Sequence, residues 1–232
     1  MAIFQEAQEN DSQWISIADL MSVLMMIFLF IAVSYMLNVV KEKNKIKEIA
    51  VTYNKLQNEL YDALMFEFKN DLTKWNADID RQTLSVKFEA PEVLFESGSS
   101  TLKPEFKEIL DDFFSRYIEI LSSEKYKHDI EEIRIEGHTS SEWSYKVTEN
   151  EAYFYNMELS QNRTRKVLEY VLTNKKNIKK ANWVKERLTA NGLSSSKLVF
   201  SNKKEDKEKS RRVEFRIRTN AEKRIVKILS TN

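Results

Sequence analysis

Residues 15–37 read ISIADLMSVLMMIFLFIAVSYML, and this stretch decides how the whole chain is organised. It holds a single charge, Asp19, in 23 residues. About 20 apolar residues are enough to cross a bilayer as a helix. A carboxylate inside such a segment costs roughly 2.5–3.5 kcal/mol at the helix centre on insertion scales, so ionisable groups there mark an ion path or a partner contact. The preceding segment, MAIFQEAQENDSQW, has no Lys or Arg and carries Glu6, Glu9 and Asp11. A signal peptide would need a basic start, a shorter apolar core and a small-residue cleavage site. The run therefore reads as an uncleaved, single-span anchor behind a short tail, residues 1–14.

Outside this run the 232-residue chain looks soluble, with a mean hydropathy of −0.52 and a net charge of +1. That length suits one ordinary domain plus an anchor. The absence of cysteine excludes disulfides and thiolate metal sites. The balanced charge leaves no electrostatic footprint for nucleic acid. With two histidines and no nucleophile–base pair or phosphate-cradling glycine loop, no catalytic, metal or cofactor site is expected.

No Pro or Gly occurs between residues 38 and 80, which reads as a helical stalk or linker. Ile49, Tyr53, Leu56, Leu60 and Ala63 recur at spacings of four, three, four and three. That is an a/d seam of barely two heptads, open either to pairing with a second copy or to packing on the domain that follows. Thr83 to Phe88 alternates as a half-buried strand should. Pro104 suits a first helical turn, and Glu105 to Leu121 has helical apolar spacing. Ile130 to Glu136 alternates again, a second helix is expected from about Asn156 to Thr173, and Trp183 to Leu188 extends a further helical piece. Two last strands, Lys197 to Ser201 and Arg212 to Arg218, flank the charged loop NKKEDKEK. The predicted architecture is one transmembrane helix with a helical stalk, then an α/β domain of α+β sandwich type over residues 81–220, with helices on one sheet face, and a tail at 221–232.

Four motifs appear in order: Phe95-Glu-Ser-Gly-Ser-Ser-Thr-Leu102, Gly137-His138-Thr139, Tyr155-Asn156-Met-Glu-Leu159-Ser-Gln-Asn-Arg163, and Ser210-Arg-Arg-Val-Glu-Phe-Arg-Ile217. Together, across about residues 84–220, they resemble the OmpA-like peptidoglycan-binding domain. Tyr155, Leu159 and Arg163 are four apart, along one stripe of a helix. An arginine there offers a planar fork to a carboxylate. The resemblance implies that Tyr155, Asn156, Leu159 and Arg163 meet the diamino acid of the peptidoglycan stem peptide. The family pairs that arginine with an Asp directly after Gly-His-Thr, where this chain has Ser140. The longer connection from Thr139 to Tyr155 offers Glu142, Glu149 and Glu151 as sources of the missing charge. His138 reads as a structural residue at a strand end.

Trp14, followed by Ile17-Ala18-Asp19-Leu20-Met21-Ser22, resembles the start of the span in MotB-type stator subunits of ion-driven rotary motors. The resemblance implies that Asp19 carries H+ or Na+; by helix spacing, Ser16 and Ser22 lie one turn either side, placed to share its hydrogen bonds. It also implies a multi-span MotA-like (ZorA-type) partner, and with the a/d seam of the stalk the expectation is a homodimer through the span and stalk. Flagellar stator subunits usually carry prolines just beyond the span; this chain has none before Pro91. The run Leu24 to Ala32 is more similar to ZorB, the MotB-like family of Zorya anti-phage defence systems. A flagellar stator subunit is the alternative within the family, and a passive tether between inner membrane and wall is the alternative of another class. Lys41, Lys43, Lys45 and Lys47 flank the run, which by the positive-inside rule would put the following domain in the cytoplasm. A wall-binding domain requires the reverse, so the expectation is a bacterial inner-membrane protein with a cytoplasmic N-terminus and a periplasmic domain.

Overall fold

The computed structural model describes residues 2–89, 91–96, 98–174 and 180–220. The tail expected at 221–232 lies outside the described residues. The chain divides into two units, Met1–Thr52 and Tyr53–Asn232. Helix α1 (Ala2–Phe68) supplies all the described structure of the first unit and the opening of the second. The stretch expected as a short tail is helical from Ala2 onward. The apolar window within α1 has a mean hydropathy of 2.5, and none of it is buried, so this helix is long and apolar enough to cross a membrane.

The second unit is built on a five-stranded sheet. Its strands are β1 (Ala77–Asp80), β2 (Ser85–Phe88), β3 (Ile130–His138), β4 (Leu188–Gly192) and β7 (Arg212–Thr219), in the order β1-β2-β7-β3-β4. All neighbours are antiparallel except β3 and β4, which pair in parallel across an intervening helical connection. That connection holds α4 (Glu149–Thr173) and α5 (Ala181–Arg187), while α2 (Pro91–Leu94) and α3 (Pro104–Leu121) lie between β2 and β3. Alternation places Val86, Phe88, Ile133, Ile135, Val213, Phe215 and Ile217 in the core. There Phe215 meets Phe88, Phe113 and Tyr117 at ring separations of 6.0, 5.1 and 6.1 Å.

The end of α1 belongs to this core. Leu60, Leu64 and Phe68 are fully buried, and Trp75 and Ile79 join the same cluster. Each such side chain stabilises by about 1.5–3 kcal/mol relative to an exposed one. Arg116 on α3 locks the helix end. Its Nε donates to Glu67 at 2.7 Å, Nη1 to Asp71 at 3.0 Å and Nη2 to the Glu67 carbonyl at 2.9 Å, while the guanidinium lies over the Phe68 ring. The compact unit therefore begins at Tyr53, and the boundary expected between residues 80 and 81 falls inside it. Leu60, and the partly buried Leu56 and Ala63, are taken up by the domain itself. The predicted seam is thus not free to pair with a second copy over these positions.

Three further differences have local causes. Helix α4 starts seven residues before the expected Asn156, because Thr148 and Glu151 form a reciprocal capping box. The helical piece expected to run to Leu188 ends at Arg187, and the chain continues as β4 beside β3. The strand expected over Lys197 to Ser201 is only β5 (Phe200–Ser201), paired with β6 (Lys204–Glu205) in a separate hairpin; the charged loop then forms α6 (Lys207–Ser210), capped by Asp206. Asn202 and Lys203, both at positive φ, make the hairpin turn.

Candidate functional site

Two glycines let α4 sit close to the sheet. A Cβ on Gly137 would come within 2.7 Å of the Thr164 methyl and 2.9 Å of the Ser160 carbonyl oxygen, and one on Gly192 within 2.4 Å of the Gln161 backbone nitrogen. Gln161 exploits that approach, accepting from the Gly192 N–H at 2.7 Å. This contact places the first half of α4 beside the C-terminal end of β3, where the sequence motifs converge.

Arg163 lies on the buried face of α4, 9% exposed. Its Nε donates to the Ser99 carbonyl at 2.9 Å, and its guanidinium sits 4.8 Å from the centre of the Phe95 ring. Among the described residues it forms no ion pair. Burial, with the neighbouring Arg211 cation, pulls its pKa down to about 10, so it stays charged at neutral pH. A small recess beside it is lined by Phe95, His138, Ser160 and Arg212. A buried, unpaired guanidinium with a second cation nearby is costly, and an anion offsets that cost.

The other expected residues divide. Asn156 is buried and its Nδ2 donates to the carbonyls of Ser140 (3.2 Å) and Glu142 (3.0 Å), so the structure brings Asn156 and Ser140 together. Leu159 is half-buried. Tyr155 is 37% exposed and stacks on Trp143, with ring centres 5.2 Å apart. Two of the glutamates that could have replaced the family carboxylate are engaged elsewhere. Glu142 pairs with Lys207, and Glu151 caps Thr148. Glu149 stands at the first turn of α4.

Sequence reasoning missed a cluster along the β3–β7 pairing, next to the recess that His138 and Arg212 also line. Glu136 and Glu214 are direct cross-strand partners, and His138 is paired with Arg212 two register positions further on. The three potential ligand residues Glu136, His138 and Glu214 are all buried, with their polar atoms within 4.8 Å of one another. Arg212 donates to Glu214 at 2.7 Å, and Arg216 lies 3.9 Å from Glu136. The carboxylates thus already have cationic partners, which makes this a charge-paired network in which an added cation would compete with two arginines. Among the described residues neither ring nitrogen of His138 has a hydrogen-bond partner. Burial, reinforced by Arg212, lowers the His138 pKa to about 4, so its imidazole is neutral at pH 7.

In the first unit Asp19 is exposed on the apolar helix. The Ser22 hydroxyl donates to the Ala18 carbonyl at 2.8 Å, so its proton goes to its own helix and not to Asp19. The side chain of Ser16 lies outside the described residues.

Residues 94–212 match the OmpA family, which defines the class: an OmpA-like domain carried behind an apolar helix. The chain as a whole belongs to the ZorB family. It is 49% identical over 222 residues to the Zorya protein ZorB of Escherichia coli (strain Crooks), covering 95% of this chain and 94% of that one. It is 28% identical over 205 residues to ZorB of Escherichia coli O139:H28, covering 88% and 79%. Among solved structures, a MotB-like protein from Desulfovibrio vulgaris superimposes with a TM-score of 0.50 at 25% identity, over 70% of this chain and 91% of that one.

Proposed function

We propose that this protein is the ion-carrying, wall-anchored stator subunit of a membrane motor in anti-phage defence. In this reading the apolar helix crosses the inner membrane once, with a cytoplasmic N-terminus, beside a multi-span MotA-like subunit and a second copy of this chain. Asp19 binds and releases H+ or Na+ on its way across. Each charge moved through 100 mV releases roughly 2.3 kcal/mol. Neutralising Asp19 changes its contact with the partner helices, and the wall-bound domain provides the fixed point against which they turn.

The observation that carries the wall-binding half is Arg163: a buried guanidinium, aimed by Ser99 and Phe95, with no carboxylate partner among the described residues. A stem-peptide carboxylate supplies the missing charge. Because the Ser140 position lacks the family's acidic group, the amino end of the diamino acid is met by the carbonyls and hydroxyls around residues 139–142. The motor half rests on Asp19 as the one charge in the apolar run and on the near-full-length likeness to ZorB. A passive tether would also use Arg163 but gives Asp19 no role.

Two variants test the halves separately. Asp19→Asn, expressed and inserted at wild-type level, should abolish phage protection while the protein still co-sediments with purified peptidoglycan; full protection would leave only the tether. Arg163→Ala should lose most of its retention on peptidoglycan, and unchanged retention would remove Arg163 from the site. Orientation is read from a Lys203→Cys variant, expected to react with an impermeant thiol reagent from the periplasmic side of spheroplasts.

A further inference from the structure

The segment between β3 and α4 carries two aromatic rings, Trp143 and Tyr145, that gather with Tyr155 of α4 away from the Arg163 guanidinium. Trp143 stacks on Tyr155 (5.2 Å, 29° between planes), Tyr145 stands edge-on to Trp143 (6.3 Å, 81°), and Tyr145 lies 6.1 Å from Tyr155. Tyr145 is 59% exposed. The group is held in place from both sides. Tyr155 is on α4, and the next residue, Asn156, clamps the carbonyls of Ser140 and Glu142. Of the carboxylates nearby, Glu142 pairs with Lys207, Glu205 accepts from the Ser141 hydroxyl and N–H, and Glu151 is turned to its Thr148 cap. The three rings themselves are uncharged and amphipathic, apolar on their faces and polar at the edges.

The geometry points to a second subsite: Tyr145, Trp143 and Tyr155 form a platform on which a sugar ring of the glycan strand stacks while Arg163 holds the attached peptide. This rests on the peptidoglycan reading above. The choice of occupant follows from distance and charge. Tyr155 and Arg163 are eight residues apart on α4, about 12 Å along its axis. The diamino acid is the third residue of a stem peptide, so an extended peptide places its sugar about 10 Å from it. The amide-linked sugars of the strand are uncharged, as is the platform. Flat C–H faces pack on aromatic ring faces, while hydroxyl and acetamido groups at the rim reach the polar edges.

The test compares two soluble probes binding to the full-length protein in detergent: a disaccharide–tetrapeptide and the same tetrapeptide without sugar. The wild-type protein should bind the disaccharide form roughly tenfold more tightly, the size of one or two aromatic stacking contacts. Tyr145→Ala and Trp143→Ala should each shrink that ratio towards one and leave tetrapeptide affinity unchanged, with Tyr145→Phe retaining most of it. Equal affinity of the wild type for the two probes would overturn the platform. So would variants that weaken both probes by the same factor, since that is the signature of a loop merely supporting the peptide site. If the wild type bound neither probe, the peptidoglycan reading itself would fall and the platform with it.

Discussion

Helix α1 contains two apolar stretches that fare in opposite ways. Between Ile17 and Val40 the apolar residues surround the helix, and none is buried: Leu20, Met25 and Phe30 are 69%, 74% and 72% exposed. Between Leu56 and Phe68 one stripe, Leu56-Leu60-Leu64-Phe68 at spacings of four, packs on the domain, and its last three members are completely buried in the core, while Phe66 off the stripe stays 80% exposed. A helix apolar on all sides has no single protein surface it can satisfy, so it belongs in lipid or among several partner helices. A helix with one stripe needs only one neighbour, and here the neighbour is in the same chain. The first stretch therefore takes its role from what surrounds it, and the second from what it completes.

The largest expected effect separates the two stretches directly. Leu64→Ala should destabilise the domain by about 2–5 kcal/mol, the usual cost of emptying a filled core position. Leu29→Ala, the same chemical change in the first stretch, should leave the domain's urea midpoint where it was. Comparable losses from both would mean that the apolar run also packs on protein, and the contrast would collapse.

Why the stripe was not legible in advance is a matter of shared positions. Leu56 and Leu60 belong both to a heptad seam, which continues to Ala63, and to an i, i+4 stripe, which continues to Leu64 and Phe68; only the partner decides between them. By contrast the convergence of the four motifs was legible from their order along the chain: the structure brings Arg163 beside Ser99, Phe95, Gly137 and Arg212, so that each of the other three motifs contributes a neighbour. The capping box at Thr148 was present as Thr-x-x-Glu, and the early start of α4 could have been read from it. The Glu136–His138–Glu214 cluster could not. It depends on the register of β3 against β7, segments far apart in sequence, and period-two alternation gives the facing side of each strand but not its pairing.

That cluster gives the second test, smaller and pH-dependent, and extends the contrast to charge: Asp19 is a titratable group exposed on an apolar helix, His138 one enclosed by the domain. The His138 imidazole faces Glu136 and Glu214, with Arg212, Arg216 and Lys87 around it, and its pKa is lowered to about 4. In the unfolded chain it would titrate near 6.5. Above 6.5 neither state carries the proton. As pH falls from about 6.5 to 4 the unfolded chain takes up a proton that the fold refuses, so stability declines across that window and levels off below it. Glu136, whose pKa is raised chiefly by burial, works in the opposite direction at the acid end. The comparison that isolates the histidine is therefore with His138→Gln, which has no proton to gain: the stability difference between the two should vary between pH 6.5 and 4 and be constant above. A difference independent of pH would mean that the imidazole titrates normally and is not enclosed as the structure has it.

The smallest effect concerns α4, a helix held by its end as well as by its face. Thr148 Oγ1 accepts from the Glu151 N–H at 3.3 Å, and Glu151 accepts from the Thr148 N–H at 2.9 Å. Thr148→Ala removes one arm of this box and should cost about 1 kcal/mol. The loss should stay local. Fraying from residue 149 runs towards Asn156, whose side chain is tied to two carbonyls of the preceding segment, and beyond it Ser160 is buried and its hydroxyl accepts from the Ser194 N–H at 3.1 Å. Amide exchange should accelerate over residues 151–155 and stay slow from 160 onward, with retention on peptidoglycan little changed. If exchange instead rose along the whole of α4, the cap and not the packed face would be holding the helix, and Arg163 would owe its position to a single threonine.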